Sequence, residues 1–131
     1  SGNGAQRRPR LLIVDDSPVL RQMVREMLDG SVCEVVGEAG SGREALDAVR
    51  SVKPDLVLLD LSIPNMDGMA FLEALSREES GARVLLMTAN TQKATLERAR
   101  ALDAIGVLYK PFNADHLLDA LEKAVARMRG G

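Results

Sequence analysis

The sequence predicts an α/β fold, a five-stranded parallel sheet with helices on both faces. Three observations carry this. Leu11-Leu12-Ile13-Val14, Leu56-Val57-Leu58-Leu59 and Val84-Leu85-Leu86-Met87 are short apolar runs without a charge, the pattern of strands buried on both faces. Segments with apolar residues at helical spacing follow each of them. The runs also end abruptly on polar groups: Asp15-Asp16, Asp60 and Thr88, with Gly106-Val107-Leu108-Tyr109 ending likewise on Lys110. Strict strand–helix alternation requires right-handed crossovers, which place helices on both faces of the sheet.

The first strand is residues 11–14. Ser17-Pro18 then supplies a cap and a first-turn proline, and Leu20, Met23, Val24, Met27 and Leu28 form the expected buried stripe of a helix ending near Gly30. Residues 33–36 read as the second strand. Ser41-Gly42-Arg43-Glu44 has capping-box spacing ahead of Ala45, Leu46 and Val49, and this second helix stops before Pro54. The third strand, residues 55–59, leads through Pro64 and Asp67-Gly68 into a helix carrying Phe71, Leu72 and Leu75. After the fourth strand, residues 91–103 predict a helix whose apolar side is Ala94, Leu96, Ala99 and Leu102; alanines bury little area, so it should be weakly anchored. The fifth strand ends at Lys110-Pro111. Asn113 can cap a last helix with Leu117, Leu121, Ala124, Val125 and Met128 inward, and Arg127 and Arg129 favour its C-terminus.

A chain of 131 residues fits one domain, able to bury about 65% of its unfolded surface without disulfides. With 46% hydrophobic and 27% charged residues it is globular in composition, and its core must be aliphatic, since Phe71, Phe112 and Tyr109 are its only aromatics. A net charge of −2 with so few stacking rings argues against direct nucleic-acid binding. The single Cys33 reads as a packed thiol. No apolar run approaches the roughly 20 residues of a membrane span and no signal-peptide core is present, so a cytoplasmic location is expected. Residues 1–9 read as a flexible tail, the Ser1-Gly2-Asn3-Gly4 part in the manner of a cloning remnant, and Arg7, Arg8 and Arg10 as solvated charges. Residues 10–129 form the folded unit.

In sheets of this kind ligands bind at the carboxyl ends of the strands, where Asp15, Asp16, Asp60, Thr88 and Lys110 all fall. Carboxylates gathered there repel and need shared protons or a cation, and hard oxygens suit Mg²⁺. Asp16 and Asp60 are the candidate direct ligands, with Asp15 acting through a metal-bound water and the Ser62 backbone carbonyl completing the set. The plain alternative is that Asp15 and Asp16 merely serve the start of the first helix. Beside such a metal Asp60 could attack a phosphoryl group as a nucleophile. Lys110 would pair with a phosphoryl oxygen and the Thr88 hydroxyl would donate to another.

The chain resembles the receiver domain of two-component response regulators, most of all the small chemotaxis-type members, from about Arg10 to Met128. The resemblance rests on Val14-Asp15-Asp16-Ser17, on Leu59-Asp60 followed by Ile63-Pro64-Asn65-Met66-Asp67-Gly68, on Thr88-Ala89 and on Lys110-Pro111-Phe112. It implies a flavodoxin-like doubly wound (βα)5 fold with strand order 2-1-3-4-5. It implies Asp60 as phosphoacceptor from a histidine kinase, a phosphotransfer protein or a small phosphodonor, and Asp15 and Asp16 as the acidic Mg²⁺ pair. Thr88 becomes the switch hydroxyl, Lys110 the basic partner of the phosphoryl group, and Pro111 the residue after a cis peptide bond that helps aim Lys110. Output would pass through the face made by the fourth helix, fifth strand and fifth helix. A phosphatase and a phosphorylation-dependent dimer are compatible with this.

The family often places an aromatic ring where this chain has Val107, which cannot swing as a ring does. Tyr109, on the same strand face, is a possible substitute, although a ring covering the sheet edge is the plainer reading. Ser62 and Asn90, two residues beyond Asp60 and Thr88, would flank the phosphoryl group, and His116 reads as solvent-facing. Two rival classes fit less well. A phospho-aspartyl hydrolase wants Asp-x-Asp after the first strand, and a dinucleotide binder wants its glycines there, whereas Gly37, Gly40 and Gly42 follow the second. A receiver joined to a DNA-binding or enzymatic output domain is the remaining alternative. On the main reading the chain is no enzyme beyond the chemistry of its own phosphoryl group.

Overall fold

A computed structural model describes residues 7–30, 32–62, 68–89 and 92–130. The segment 63–67, Asn90, Thr91 and residues 1–6, all of which entered the sequence analysis, lie outside the described residues. Ten elements alternate: β1 (Arg10–Val14), α1 (Pro18–Met27), β2 (Glu34–Ala39), α2 (Gly42–Val52), β3 (Leu56–Asp60), α3 (Gly68–Ser76), β4 (Arg83–Thr88), α4 (Lys93–Ala101), β5 (Ala104–Tyr109) and α5 (Ala114–Gly130). The strands pair in parallel in the order β2-β1-β3-β4-β5, the flavodoxin-like arrangement expected.

Side chains alternate across the sheet with period two, and two aliphatic cores result. Leu11 and Ile13, Leu56 and Leu58, and Leu85 and Met87 meet Val24 of α1 and Leu28 at its C-terminal cap, with Leu117, Leu121 and Val125 of α5. On the other face Leu12, Val14, Val57, Leu59, Val84 and Leu86 meet α2, α3 and Ala99 of α4. Every apolar residue of the β1 and β3 runs is fully buried. At about 25 cal/mol per Å² of apolar surface, each such leucine contributes on the order of 2–3 kcal/mol, so these two central strands hold the sheet.

Caps fall where the sequence places them. Ser17 Oγ accepts from Leu20 N at 3.1 Å with Pro18 next in line, Ser41 Oγ accepts from Glu44 N at 3.1 Å, and Asn113 Oδ1 accepts from His116 N at 2.8 Å. His116 is exposed. Before Pro54, Lys53 closes α2 in the left-handed region at φ 50°. α4 has no side-chain cap and buries only Ala99, so it is weakly anchored.

Four details differ from the sequence reading. β2 starts and ends later than residues 33–36 because it is an edge strand: Glu34 and Glu38 face water, and Ala39 alone is buried. The α1 stripe is narrower, with Val24 and Leu28 buried and Met23 44% exposed. Ala94 faces solvent and Met128 is only half-buried. Arg10 is no tail residue: it opens β1, its guanidinium donating to Val52 O at 2.6 Å and its backbone N–H to Asp55 Oδ2 at 2.8 Å.

Candidate functional site

The alternation that sorts the cores also builds the site. Residues 11, 13 and 15 of the first strand, 56, 58 and 60 of the third, and 108 and 110 of the fifth share one parity. Asp15, Asp60 and Lys110 therefore face the α1–α5 side at the carboxyl edge of the sheet. Three backbone hydrogen bonds extend the ladder past the strand ends and fix this edge: Asp15 N to Ala39 O at 3.0 Å, Leu61 N to Met87 O at 3.1 Å and Lys110 N to Thr88 O at 3.0 Å. The Lys110–Pro111 peptide bond is cis.

Asp15 and Asp60 are almost fully buried. The Lys110 ammonium reaches both, at 3.2 Å from Asp15 Oδ2 and 2.5 Å from Asp60 Oδ2. The second oxygen of each carboxylate takes a backbone donor two residues on, Ser17 N at 2.8 Å for Asp15 and Ser62 N at 2.6 Å for Asp60. These turns orient the acids while leaving the cleft open. Burial, and next the contact with Asp60, raise the Asp15 carboxyl above the ordinary carboxylate value, although Ser17 N–H and Lys110 oppose this. Partial burial pulls the Lys110 ammonium down, but the hydrogen bond and charge of Asp60, with Asp15, leave it above its ordinary value.

One ammonium thus serves two buried carboxylates. The excess negative charge and the hard oxygen donors fit a divalent cation of the Mg²⁺ class, which keeps several of its waters. Asp16 is exposed at the lip of the same cleft. Among the described residues no three His, Cys, Asp or Glu side chains are gathered tightly enough to hold a metal unaided. A cation there would need the Ser62 carbonyl and water as well. The cleft, of about 530 Å³, has a polar end at Asp15, Asp16, Asp60 and Lys110 and an apolar wall of Leu20, Met23 and Phe112.

Thr88 has the opposite parity and faces the α3–α4 side, where it is fully buried. Its hydroxyl lies 3.0 Å from Ser62 Oγ, which also accepts from Ala89 N at 2.7 Å. Tyr109 is the register partner of Thr88 and is 48% exposed, while Val107 packs half-buried against the α2–α4 core. Of the five residues that sequence analysis places at this edge, Asp15, Asp16, Asp60 and Lys110 line one cleft, Asp16 on the outside, while Thr88 lies behind it and reaches it through Ser62.

Two contributions escaped the sequence reading. Arg21 Nη1 donates to the Asp15 carbonyl at 2.5 Å while its Nε pairs with Glu38 Oε1 at 2.8 Å, and Arg25 also pairs with Glu38. Burial alone would raise the Glu38 carboxyl, but the two arginines hold it below its ordinary value. A basic residue one turn into α1, on the side of the β1 terminus, was the available signal; its partner on β2 had none. The second is what the Ser62 side chain touches: sequence analysis sets Ser62 beside the phosphoryl group, but its partners Thr88 and Ala89 lie 26 and 27 residues away.

The family model "Response regulator receiver domain" matches residues 11–122. The chemotaxis protein CheY of Listeria monocytogenes is 40% identical over 115 residues, covering 88% of this chain and 97% of that protein. The transcriptional regulatory protein PdtaR of Mycobacterium tuberculosis is 38% identical over 120 residues, covering 92% of this chain but 58% of its own length. Among solved structures, the signal receiver domain assigned to response regulator NarL from Mycobacterium tuberculosis superposes with a TM-score of 0.83 at 31% identity, covering 96% of this chain and all of that one. With an acidic cleft at the carboxyl edge of a 2-1-3-4-5 sheet and matches of this extent, the chain belongs to the response regulator receiver family and is CheY-like in form.

Proposed function

We propose that Asp60 accepts a phosphoryl group and that the chain transmits a two-component signal through the surface this modification alters. The observation that carries the reading is a buried carboxylate at the end of β3, held by the Ser62 N–H and touched by the ammonium of Lys110. One Asp60 oxygen attacks phosphorus, the bond from phosphorus to the donor's nitrogen or oxygen breaks, and the donor leaves with the electron pair. Catalysis is positioning and electrostatics. Lys110 moves from neutralising the carboxylate to neutralising a phosphoryl oxygen, and the Thr88 hydroxyl and Ala89 N–H are the nearby neutral donors.

Mg²⁺, held by Asp15, Asp16, Asp60 and the Ser62 carbonyl, would offset charge on the transferring oxygens. Asp15 would then act chiefly through a water on that metal. The phosphoryl donor is a histidine kinase, a phosphotransfer protein or a small acyl phosphate. The product carries about −1.5 to −2 charge on Asp60, which draws Thr88 and the β4–α4 connection inward and shifts the α4-β5-α5 face. Lightly anchored α4 is the element with least to lose in moving, Val107 gives the switch no ring, and exposed Tyr109 beside Thr88 is the aromatic available to respond. Output is binding of a partner at that face, with a phosphatase ending the signal, in the cytoplasm; among the described residues no helix is long and apolar enough to cross a membrane. A receiver joined to a separate output domain is the second reading, supported by relatives such as PdtaR of which this chain matches only part. The switch face is the same in either.

Beryllofluoride, a stable phosphoryl analogue, tests the reading. With Mg²⁺ it should perturb the amides of Asp60, Thr88 and Ala89 in the wild type and leave Asp60→Asn untouched. Equal perturbation of both proteins would overturn it.

A further inference from the structure

The Ser62 hydroxyl occupies the Ala89 N–H and engages the Thr88 hydroxyl, two groups that a phosphoryl group on Asp60 would claim. Its oxygen accepts from Ala89 N at 2.7 Å and shares a hydrogen bond with Thr88 Oγ1 at 3.0 Å, while its own backbone N–H holds Asp60 Oδ1 at 2.6 Å. One residue therefore ties the phosphorylation carboxylate to the end of β4, and it does so in the unmodified chain. Thr88 is fully buried while Ala89 is exposed, so the contact sits at the carboxyl end of β4.

The geometry points to Ser62 as a positioning residue whose side-chain oxygen stands in for a phosphoryl oxygen, holding Thr88 and Ala89 until the phosphoryl group displaces it. The inference rests on the phosphoacceptor reading of Asp60 and adds the group with which the phosphoryl group competes. A phosphoryl group offers three strong acceptor oxygens and bonds to an ionised acceptor are about twice as strong as neutral ones. The exchange therefore runs toward the modified state once the group is present. The serine bonds exist only in the unmodified state, so by linkage they oppose modification by as much as they stabilise that state. Ser62 thus sets how readily the switch turns over, acting through Thr88 and Ala89 without touching the donor.

The test compares wild type, Ser62→Ala and Ser62→Thr in two measurements: amide hydrogen exchange at Ala89 in the unmodified protein, and the affinity for beryllofluoride with saturating Mg²⁺. Ser62→Ala should speed Ala89 exchange and tighten beryllofluoride binding, each by about three- to tenfold, the worth of one or two neutral hydrogen bonds. Ala89 protection in its bound form should match wild type, and Ser62→Thr, which keeps the hydroxyl, should behave as wild type in both. Unchanged Ala89 exchange in Ser62→Ala overturns the hydrogen bond itself. Faster exchange with equal or weaker beryllofluoride affinity overturns the competition while leaving Asp60 as acceptor. Failure of the wild type to bind beryllofluoride at all overturns the phosphoacceptor reading, and the competition with it.

Discussion

Removing the Lys110 charge should destabilise the fold in a way that Mg²⁺ repairs. Lys110→Met keeps the length of the stem and deletes the ammonium that lies 2.5 Å from Asp60 Oδ2 and 3.2 Å from Asp15 Oδ2. At an effective dielectric of about 20 those separations correspond to roughly 5–7 kcal/mol of gross attraction each. Desolvation of the three groups offsets most of it, and stripping one partner from a buried pair costs about 3–5 kcal/mol. The Lys110 side chain is 25% exposed, so part of its hydration survives, and a loss of about 1–3 kcal/mol is expected at pH 7 without divalent metal. The pH dependence follows from the carboxylates. Burial already raises the Asp15 carboxyl and Lys110 opposes that rise, so without Lys110 the deficit is small below the ordinary aspartate value of about 4 and grows as pH rises through the raised folded value of Asp15. Urea melts of both proteins at pH 3.5 and 7, with chelator and with Mg²⁺, measure this. The metal should recover more stability in the variant than in the wild type, because it takes over both carboxylates. A Lys110→Met protein as stable as wild type at pH 7 in chelator, or one that Mg²⁺ does not favour, would refute the electrostatic account.

A Cβ at Gly68 would lie 3.0 Å from Leu61 Cδ2 and 3.2 Å from the Asp60 carbonyl; since the backbone atom cannot swing aside, Gly68→Ala should cost about 1–3 kcal/mol in a thermal melt. Cys33 is 2% exposed and its thiol is pushed up to about 11, chiefly by burial; an aromatic disulfide reagent at pH 8 should label it only after unfolding, and immediate reaction of the native protein would contradict the packing. Tyr109 is the only tyrosine in a chain without tryptophan, so its emission is a clean reporter; acrylamide quenching should fall when beryllofluoride and Mg²⁺ bind, and unchanged quenching would return Tyr109 to a static role at the sheet edge.

How much of this was legible in the sequence depended on whether a signal was local. β1 and β3 are unmistakable because both faces are buried and each position from Leu11 to Val14 and Leu56 to Leu59 must be apolar. β2 was placed short because an edge strand needs no such run: Glu38 pairs with Ile13 in the ladder and its carboxylate meets Arg21 and Arg25, contacts 17 and 13 residues apart that composition cannot announce. Met23 has helical spacing for the core yet remains exposed, since α1 buries a stripe only as wide as Val24 and Leu28 require. At the site, the strand ends were readable and put Asp15, Asp16, Asp60, Thr88 and Lys110 at one edge, but which of them share a face emerged only with the strands in place. The Ser62 hydroxyl was readable only as a position two residues beyond Asp60. What it touches depends on how β4 lies beside β3, a tertiary fact that no local pattern encodes.

The most direct test of the central claim is a rapid-quench intact-mass measurement after mixing with acetyl phosphate, with and without Mg²⁺, for wild type and Asp60→Asn. The account predicts a metal-dependent gain of about 80 Da, one phosphoryl group on a single side chain, in the wild type and none in the variant. An adduct of equal yield in both proteins would place the phosphoryl group elsewhere, and no adduct in either at the shortest quench time would contradict Asp60 as a phosphoacceptor.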